Sequence, residues 1–241
     1  MRRFKADLHI HTCLSPCGDY GMYPSAIVNR AVERDLDIIA ICDHNSSGNV
    51  EAVIAAGKKV GLTVFGGMEI CSEEEVHLLT LFEDLNDLKK MDKVISRTIL
   101  EFNDIELFGE QVLFDENDKI IGLEDKLLMS ACSLTIEEIV DLTQKNNGLV
   151  IPSHINRDSY GLLGVLGFIP EDISFDALEI MNSGFSGWEN LLQTDLTFVH
   201  SSDAHFLEQI GSDYTVFELA FPSLREIGLA FKKFGGRKVF K

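Results

Sequence analysis

The sequence predicts an α/β protein with a largely parallel sheet, arranged either as a barrel or as a doubly wound sheet. Short apolar runs alternate along the chain with longer segments of helical periodicity. Prolines stand where two of these helices are expected to begin, at Pro24 and Pro222. The length of 241 residues suits a barrel that folds as one unit, and 45% hydrophobic residues provide a sizeable core. We therefore expect a single domain over residues 1–241.

Eight apolar runs are the candidate strands. In chain order they are Phe4–Leu8, Asp37–Ile41, Leu62–Gly66, Val76–Phe82, Gly148–Ile151, Ala177–Met181, Thr197–His200 and Tyr214–Ala220. Many of the intervening segments are amphipathic, which predicts helices that pack one face on the sheet. One such face comprises Ile27, Val28, Ala31 and Val32, and another comprises Leu224, Ile227, Gly228 and Phe231.

The stretch from about residue 84 to residue 147 interrupts this alternation. A helical pattern runs from Leu88 to Phe102 and is followed by two short apolar runs, Val112–Phe114 and Ile120–Ile121, around a polar turn. These runs predict a small hairpin, and a second helix is expected from Thr135 to Lys145. We interpret the stretch as a small helix and hairpin segment inserted into the domain.

The charge balance is strongly acidic. There are 21 Lys and Arg residues against 39 Asp and Glu residues, which gives a formal net charge of −18. Such a chain has no general electrostatic attraction to nucleic acid or to an anionic membrane. We therefore expect neither a long nucleic acid nor a membrane as a partner, and a phosphorylated substrate would need a local reversal of this field.

Three further features predict a cytoplasmic protein. No apolar run approaches the roughly 18–20 residues that span a bilayer. The basic start of the chain is not followed by an apolar stretch of signal-peptide length. The five cysteines are odd in number and widely spaced, which fits reduced thiols better than a disulfide framework.

Five of the runs are followed by residues of the types that bind metals. These residues are His9, His11, His44, Glu69, His154, Asp203 and His205. His9 and His11 are spaced i and i+2, so on a strand both imidazoles point to the same side. Because the carboxyl ends of parallel strands meet at one edge of a sheet, we expect these side chains to converge. The sequence therefore predicts a metal site at this edge.

Two histidines are less clear from position alone. His77 begins its apolar run instead of following one, so it is either a further ligand or a packed histidine. His200 lies inside a run and alternates away from Asp203, which indicates a packed residue. With His77 the candidate ligands number eight, which is too many for one ion and enough for two or three. Imidazole and carboxylate ligands together suit Zn, Mn or Fe, and Glu69 could bridge two ions.

Further candidate residues lie close to these ligands in the sequence. Asp43, beside His44, could accept the second N–H of a metal-binding imidazole. Cys17 and Asp19 follow the histidine pair closely enough to approach a metal. Cys13 and Cys17 have no third cysteine near them, which argues against an iron–sulfur site. The sequence contains neither a dinucleotide-binding glycine fingerprint nor a serine-hydrolase elbow.

The first of these motifs, Asp7-Leu8-His9-Ile10-His11-Thr12, resembles that of the PHP (polymerase and histidinol phosphatase) superfamily. The resemblance continues, in the family's order, through Cys42-Asp43-His44-Asn45, Gly67-Met68-Glu69, Ser153-His154 and Ser201-Ser202-Asp203-Ala204-His205. The motifs together span residues 7–205. The resemblance implies a distorted (β/α)7 TIM-like barrel with a site for two or three metal ions.

The resemblance also implies how the ligands are shared. The first ion would be bound by His9, His11, Glu69 and Asp203, and the second by Glu69, His77 and His154. The third would be bound by His44, His205 and a residue of the loop after the first motif. Relatives carry Ser-Asp-Gly in that loop, whereas this chain has Ser15-Pro16-Cys17-Gly18-Asp19. Asp19 is favoured over Cys17 there because its oxygen is the harder ligand.

The activity implied by the resemblance is metal-dependent phosphoester hydrolysis. Metal ions generate hydroxide at neutral pH and neutralise the phosphate oxygens. Asp203 or His205 could pass a proton to the leaving group. Arg157, three residues after His154, is either a phosphate clamp or a surface arginine in a loop. The candidate substrates are a phosphorylated nucleoside or nucleotide and an amino-alcohol phosphate.

Three other functions were weighed against this one. An amidohydrolase-type C–N hydrolase also begins with an H-x-H motif, but it often bridges its metals with a modified lysine, and no lysine lies near Glu69. A non-enzymatic metal-binding regulatory module would lack ligands, and almost all are present here. An exonuclease acting on nucleic acid would use the same chemistry, but the chain has no long basic stripe.

Overall fold

The structure is a computed structural model that describes residues 1–182 and 194–240. Its strands are β1 (Arg2–Ile10), β2 (Ile38–Ile41), β3 (Thr63–Cys71), β4 (His77–Phe82), β5 (Val112–Phe114), β6 (Ile120–Leu123), β7 (Leu149–Pro152), β8 (Leu178–Glu179), β9 (Phe198–Val199), β10 (Thr215–Leu219) and β11 (Lys238–Phe240). Its helices are α1 (Pro24–Glu33), α2 (Val50–Val60), α3 (Leu85–Thr98), α4 (Ile105–Phe108), α5 (Ile136–Lys145), α6 (Leu162–Leu166) and α7 (Leu224–Phe231).

The main sheet has seven strands in the order β11-β10-β1-β2-β3-β4-β7. Only β1, β2 and β3 are parallel neighbours, and the other pairs of this sheet are antiparallel. The prediction of a largely parallel sheet is therefore wrong. The reason lies in the connection between β3 and β4, since residues 72–76 are too few for a crossover and force a hairpin.

The sheet curls towards a two-stranded parallel sheet, β8–β9, beyond its β7 edge. The amide of Asp176 donates to the carbonyl of Val150 over 2.9 Å, which ties the start of β8 to β7. On the other side, the amide of His11 donates to the carbonyl of Ala204 over 2.9 Å, just after β9. The result is an α/β fold with a curled seven-stranded sheet.

Two apolar clusters lie on opposite faces of the sheet. One packs between the sheet and helices α1, α2, α3 and α5, and the other packs against α7. Leu8 belongs to the second cluster and Ile10 to the first, although i and i+2 residues of a regular strand share a face. A register shift between Asp7 and Ile10 explains the change of face. This irregularity occurs where His9 and His11 leave the strand.

Several predicted element bounds need correction. Helix α7 begins at Leu224 with Ser223 as its N-cap, so Pro222 precedes the helix instead of starting it. Helix α3 ends at Thr98 because Ile99 is already extended, and Phe102, 69% exposed, forms a bridge with Lys126. Helix α5 and the hairpin β5–β6 match the expectation. The single-domain assignment and the insertion bounds of about 84–147 stay predictions.

Candidate active site

The buried carboxylate of Glu69 lies at the centre of the histidine cluster. Oε1 is 3.0 Å from His77 Nδ1, 3.1 Å from His154 Nε2 and 3.4 Å from His9 Nε2. Oε2 is 3.1 Å from His44 Nδ1 and 3.4 Å from His11 Nε2. The side chain of Glu69 is only 1% exposed. A single carboxylate thus faces imidazoles from several separate segments of the chain.

Asp203 and His205 complete the cluster. Asp203 Oδ1 lies 3.3 Å from both His9 Nε2 and His11 Nε2. The His205 ring stacks on His11 with 4.3 Å between centroids, and its Nδ1 lies 2.8 Å from the carbonyl oxygen of Asp203. The backbone of Asp203 has φ = +48° and that of His154 has φ = +29°. Such conformations are strained for non-glycine residues and are typical of functional sites.

The antiparallel direction of β4 explains the position of His77. Cys71 at the end of β3 pairs with His77 at the start of β4. The first residue of β4 therefore lies at the same sheet edge as the last residues of β1 to β3. His77 shares its strand face with Leu79, which packs in the second apolar cluster. His77 therefore lies inside the cluster and is not a histidine packed elsewhere in the core.

Hydrogen bonds orient the first two histidines. His9 Nδ1 donates to Glu179 Oε2 over 3.0 Å. His11 Nδ1 lies 3.0 Å from Ser15 Oγ, which itself donates to Asp43 Oδ1 over 2.7 Å and so accepts from His11. Both Nε2 atoms then carry lone pairs, and they lie only 3.1 Å apart. Two lone pairs at this distance repel each other unless a proton or a metal ion lies between or beside them.

The electrostatics of the cluster fit a bound cation. Burial lowers the pKa of His11, but hydrogen bonds to Asp203 and Glu69 outweigh burial and raise it to about 9. Burial raises the pKa of Glu69, but the charges of His77 and His9 outweigh burial and hold it well below its usual value. Without metal, protons on imidazole supply the positive charge that these carboxylates attract. A divalent ion would displace those protons.

The donor atoms group into three sets that could each hold an ion. Within each set the ligand atoms lie within 4.8 Å of one another. The sets are His9, His11, Glu69 and Asp203; His44, Glu69 and His77; and His11, His44 and His205. Several of these atoms are buried and have no hydrogen-bond partner among the described residues, including His44 Nδ1, His77 Nδ1 and Asp203 Oδ1. Buried polar atoms without partners are unfavourable, so these residues fit a metal centre.

The structure does not bring Asp19 into these sets. The side chain of Asp19 is exposed, and its Oδ1 accepts a hydrogen bond of 2.8 Å from the amide of Gly21. This bond gives one oxygen of the carboxylate a backbone partner within its own turn. Cys17, the alternative, lines the cavity at the cluster.

Arg157 lies at the mouth of the same cavity. The cavity has a volume of about 170 Å³ and is lined by Cys17, His44, Glu69, His77, Met129, Arg157, Tyr160, Asp203 and His205. The Arg157 side chain is 48% exposed, and its Nη1 is 3.7 Å from Asp203 Oδ2. A guanidinium in this position faces both solvent and the cluster. His200 lies outside the cavity lining, with its Nδ1 3.4 Å from Asp213 Oδ2.

The sequence reading missed two carboxylates that support the cluster. Glu179 is buried in β8 and accepts from His9 and from the amide of His154, each over 3.0 Å. Asp7 is buried in β1, where it accepts from the hydroxyl of Ser202 over 2.6 Å and from the amide of Gly211 over 3.0 Å. Burial raises the pKa of Asp7 to about 6, although these bonds oppose it. Asp7 and Glu179 could have been found in the sequence because each is a charged residue inside an apolar run.

Across the described ranges, no helix has both the length and the apolar character needed to cross a membrane.

The α/β fold and this cluster of imidazoles and carboxylates are those of a protein that could bind metal ions. The chain belongs to the PHP domain family, whose sequence model matches residues 7–148. A second model, the PHP-associated region, matches residues 188–233. The resemblance seen in the sequence motifs is thereby confirmed.

One curated protein and two solved structures are similar to this chain. A 5′-3′ exoribonuclease from Haemophilus influenzae is 31% identical over 80 residues, which cover 32% of this chain and 28% of the relative. Endonuclease Q from Pyrococcus furiosus has a TM-score of 0.74 and 20% identity, covering 99% of this chain and 58% of that chain. A second structure shows endonuclease Q in complex with a 27-mer duplex substrate that has an abasic lesion at the active site. Its TM-score is 0.73 at 20% identity, and the match covers 98% of this chain and 58% of that chain. The chain spans less than two thirds of the length of each of these relatives.

The names of these relatives contradict the expected partners. The charge of −18 was taken to disfavour long nucleic acids, and a small phosphorylated substrate was expected as the partner instead. Both relatives are named for cleaving nucleic acid. The error is physical: net charge averages over the whole surface, whereas a substrate responds to the local field at the site.

Proposed function

We propose that this chain is a metal-dependent phosphodiesterase that hydrolyses nucleic acid. The observation that carries the proposal is the buried Glu69 carboxylate, both of whose oxygens face imidazole nitrogens within 3.4 Å. The nuclease activities named for the two relatives support a nucleic acid as the substrate class. A (β/α)7 arrangement of the barrel and a cytoplasmic location stay predictions.

The ligand assignment follows the three sets of donor atoms. His9, His11, Glu69 and Asp203 would hold one ion, and Glu69 would bridge to a second held with His77, His44 and His154. His205 would hold a third ion with His44 and His11, with Cys17 as the nearest further donor. Zn, Mn and Fe suit this donor set, and two or three ions fit the number of ligands.

The chemistry divides between the ions and the chain. Bound divalent ions acidify a water molecule and neutralise charge on the phosphate oxygens. Arg157, at the mouth, would bind phosphate oxygens through its guanidinium. Asp203 or His205, both of which line the cavity, would give a proton to the leaving oxygen. Glu179 and Ser15 hold His9 and His11 in the tautomer that faces the ions.

A direct assay tests the proposal. Protein loaded with Mn, Zn or Fe is incubated with end-labelled single-stranded RNA, single-stranded DNA and duplex DNA. We expect cleavage of at least one of them, loss of cleavage with a chelator, and recovery when metal is restored. If none is cleaved with any of the three metals, the proposal is wrong. Turnover of amides or amino-purines in place of phosphodiesters would support the C–N hydrolase.

Glu179→Gln is expected to weaken metal binding by about 10- to 100-fold, because the carboxylate that orients His9 is replaced by a neutral amide. The fold should remain, since glutamine has nearly the same shape. Metal titration of the apo-protein measures the change. Glu171→Gln, the same substitution at an exposed position, is the control and should leave affinity unchanged. Equal affinities in the two variants would show that Glu179 does not support the site.

Arg157→Ala is expected to raise KM for nucleic acid by roughly tenfold or more, because a charged hydrogen bond to phosphate contributes about 1.5–3 kcal/mol. Bound metal should be unchanged, since Arg157 contributes no ligand atom. Steady-state kinetics and metal analysis measure the two quantities. Arg97→Ala, in an exposed part of α3, is the matched control. If Arg157→Ala has unchanged kinetic constants, Arg157 does not bind the substrate and is only a surface arginine.

A further inference from the structure

The loop after β7 presents two side chains at the mouth of the cavity. The amide of Arg157 donates to the carbonyl of His154 over 2.9 Å, which closes a tight turn. At Gly161 an added Cβ would lie 2.3 Å from the carbonyl oxygen of Arg157, so only glycine fits there. This winding carries Arg157 and Tyr160 to the lining of one cavity.

Tyr160 is held in this position at a conformational cost. Its backbone has φ = +60°, which is unusual for a bulky residue and costs on the order of 1–2 kcal/mol. Its carbonyl accepts from the amide of His77 over 2.9 Å, and its ring stacks on His77 with centroids 4.6 Å apart at 23°. The residue is nevertheless 39% exposed. The strain therefore does not serve to bury the ring; it places an aromatic surface at the mouth.

Met129 brings a second apolar surface to the same cavity. It is 43% exposed and comes from a different segment of the chain. Asn45 fixes that segment, because its Nδ2 donates to the carbonyls of Leu128 and Ser130, each over 2.8 Å. Asn45 is itself next to His44 and has φ = +50°. A thioether and an aromatic ring are the surfaces that proteins use to contact planar rings.

The lining of the cavity offers few cationic side chains for contact with nucleic acid. Binding of nucleic acid normally depends on many cationic side chains that displace counterions from phosphates. Among the described residues that line the cavity, Arg157 is the only lysine or arginine, so this contribution is small at the site. Stacking of bases on aromatic side chains supplies affinity that does not depend on charge.

We propose that Tyr160 and Met129 form a nucleobase-binding subsite beside the metal cluster. The ligand is a nucleotide unit whose phosphate lies at Arg157 and the cluster and whose base stacks on the exposed part of the Tyr160 ring. The subsite rests on the proposed function and sharpens it, since it makes the base next to the scissile phosphate part of what is recognised.

The test compares two ligands that differ by the base alone. Calorimetry on the metal-loaded protein measures the affinities of adenosine 5′-monophosphate and ribose 5-phosphate. We expect the wild type to prefer the nucleotide by roughly 5- to 150-fold, the range reported for one stacked base. Tyr160→Phe should keep the preference because the ring remains. Tyr160→Ala should lose it while ribose 5-phosphate affinity and metal content stay unchanged, and Met129→Ala should reduce it by a smaller factor.

A kinetic arm uses an oligonucleotide with an abasic site next to the cleaved phosphate. Tyr160→Ala should raise KM for the intact oligonucleotide and leave KM for the abasic one unchanged. If both rise equally, or if the variant loses metal, Tyr160 merely positions His77 and the subsite is overturned. Equal binding of the two small ligands by the wild type would overturn it as well. Absence of all nucleic acid cleavage would refute the proposed function, whereas the calorimetric comparison would still decide the subsite.

Discussion

Glu69→Gln is expected to lower kcat/KM by at least about 100-fold and to reduce the metal bound per chain. The substitution removes the charge that faces the five imidazoles and turns an NH2 group towards their lone pairs. A loss of two orders of magnitude in rate corresponds to roughly 3 kcal/mol of transition-state stabilisation, which a bound divalent ion would supply. Metal analysis by mass spectrometry and steady-state kinetics on a phosphodiester measure the two effects.

The control for this substitution is Glu116→Gln, which makes the same chemical change in the exposed turn between β5 and β6. It should retain wild-type metal content and rate. Circular dichroism of both variants establishes that they are folded. A Glu69→Gln protein with full metal content and undiminished turnover would show that the central carboxylate is not a ligand.

Phe217→Ala is expected to lower the free energy of unfolding by about 3–5 kcal/mol, the usual cost of removing a buried phenyl ring. Phe217 is completely buried in β10, where its ring meets that of Phe231 edge-on at 5.9 Å. For a chain of this length the melting temperature should fall by roughly 6–20 °C. Denaturant and thermal unfolding measure the change.

Phe234→Ala is the matched control because the Phe234 side chain is exposed. Its effect should stay within about 0.5 kcal/mol, as for most surface substitutions. The metal content of Phe217→Ala below its melting point should equal that of the wild type, since Phe217 contacts none of the proposed ligands. A loss smaller than about 1 kcal/mol would mean that the second apolar cluster does not depend on this ring.

The sequence predicted the candidate ligands better than it predicted the sheet. The i, i+2 pair His9 and His11 was visible because period-2 alternation is a local property of a strand. The direction of β4 was not visible, because it depends on a short connection whose residues have no decisive turn signature. Uncertainty over His77 followed directly, since a residue that begins an antiparallel strand lies at the same edge as residues that end parallel ones.

The direction of side chains in loops also could not be predicted from the sequence. Asp19 was favoured on ligand hardness, but its carboxylate bonds to the amide of Gly21 instead. Local hydrogen bonding of this kind competes with any longer-range role and leaves no trace in ligand spacing. Glu179 shows the converse, because its role depends on contact with His9, which lies 170 residues earlier in the chain. The net charge of the chain also could not predict the local electrostatic field at the mouth of the cavity.

The register shift at the end of β1 places His9 and His11 beside Asp203, which is separated from them by most of the chain. During synthesis at about 5–20 residues per second, the two histidines are made roughly 10–40 s before Asp203 and His205. A nascent chain can therefore offer an incoming ion only a fragment of its coordination sphere. The complete donor sets form only after residue 205 has been made and Ala204 has docked beside the end of β1. A chain still under synthesis therefore lacks Asp203 and His205, which belong to two of the three donor sets.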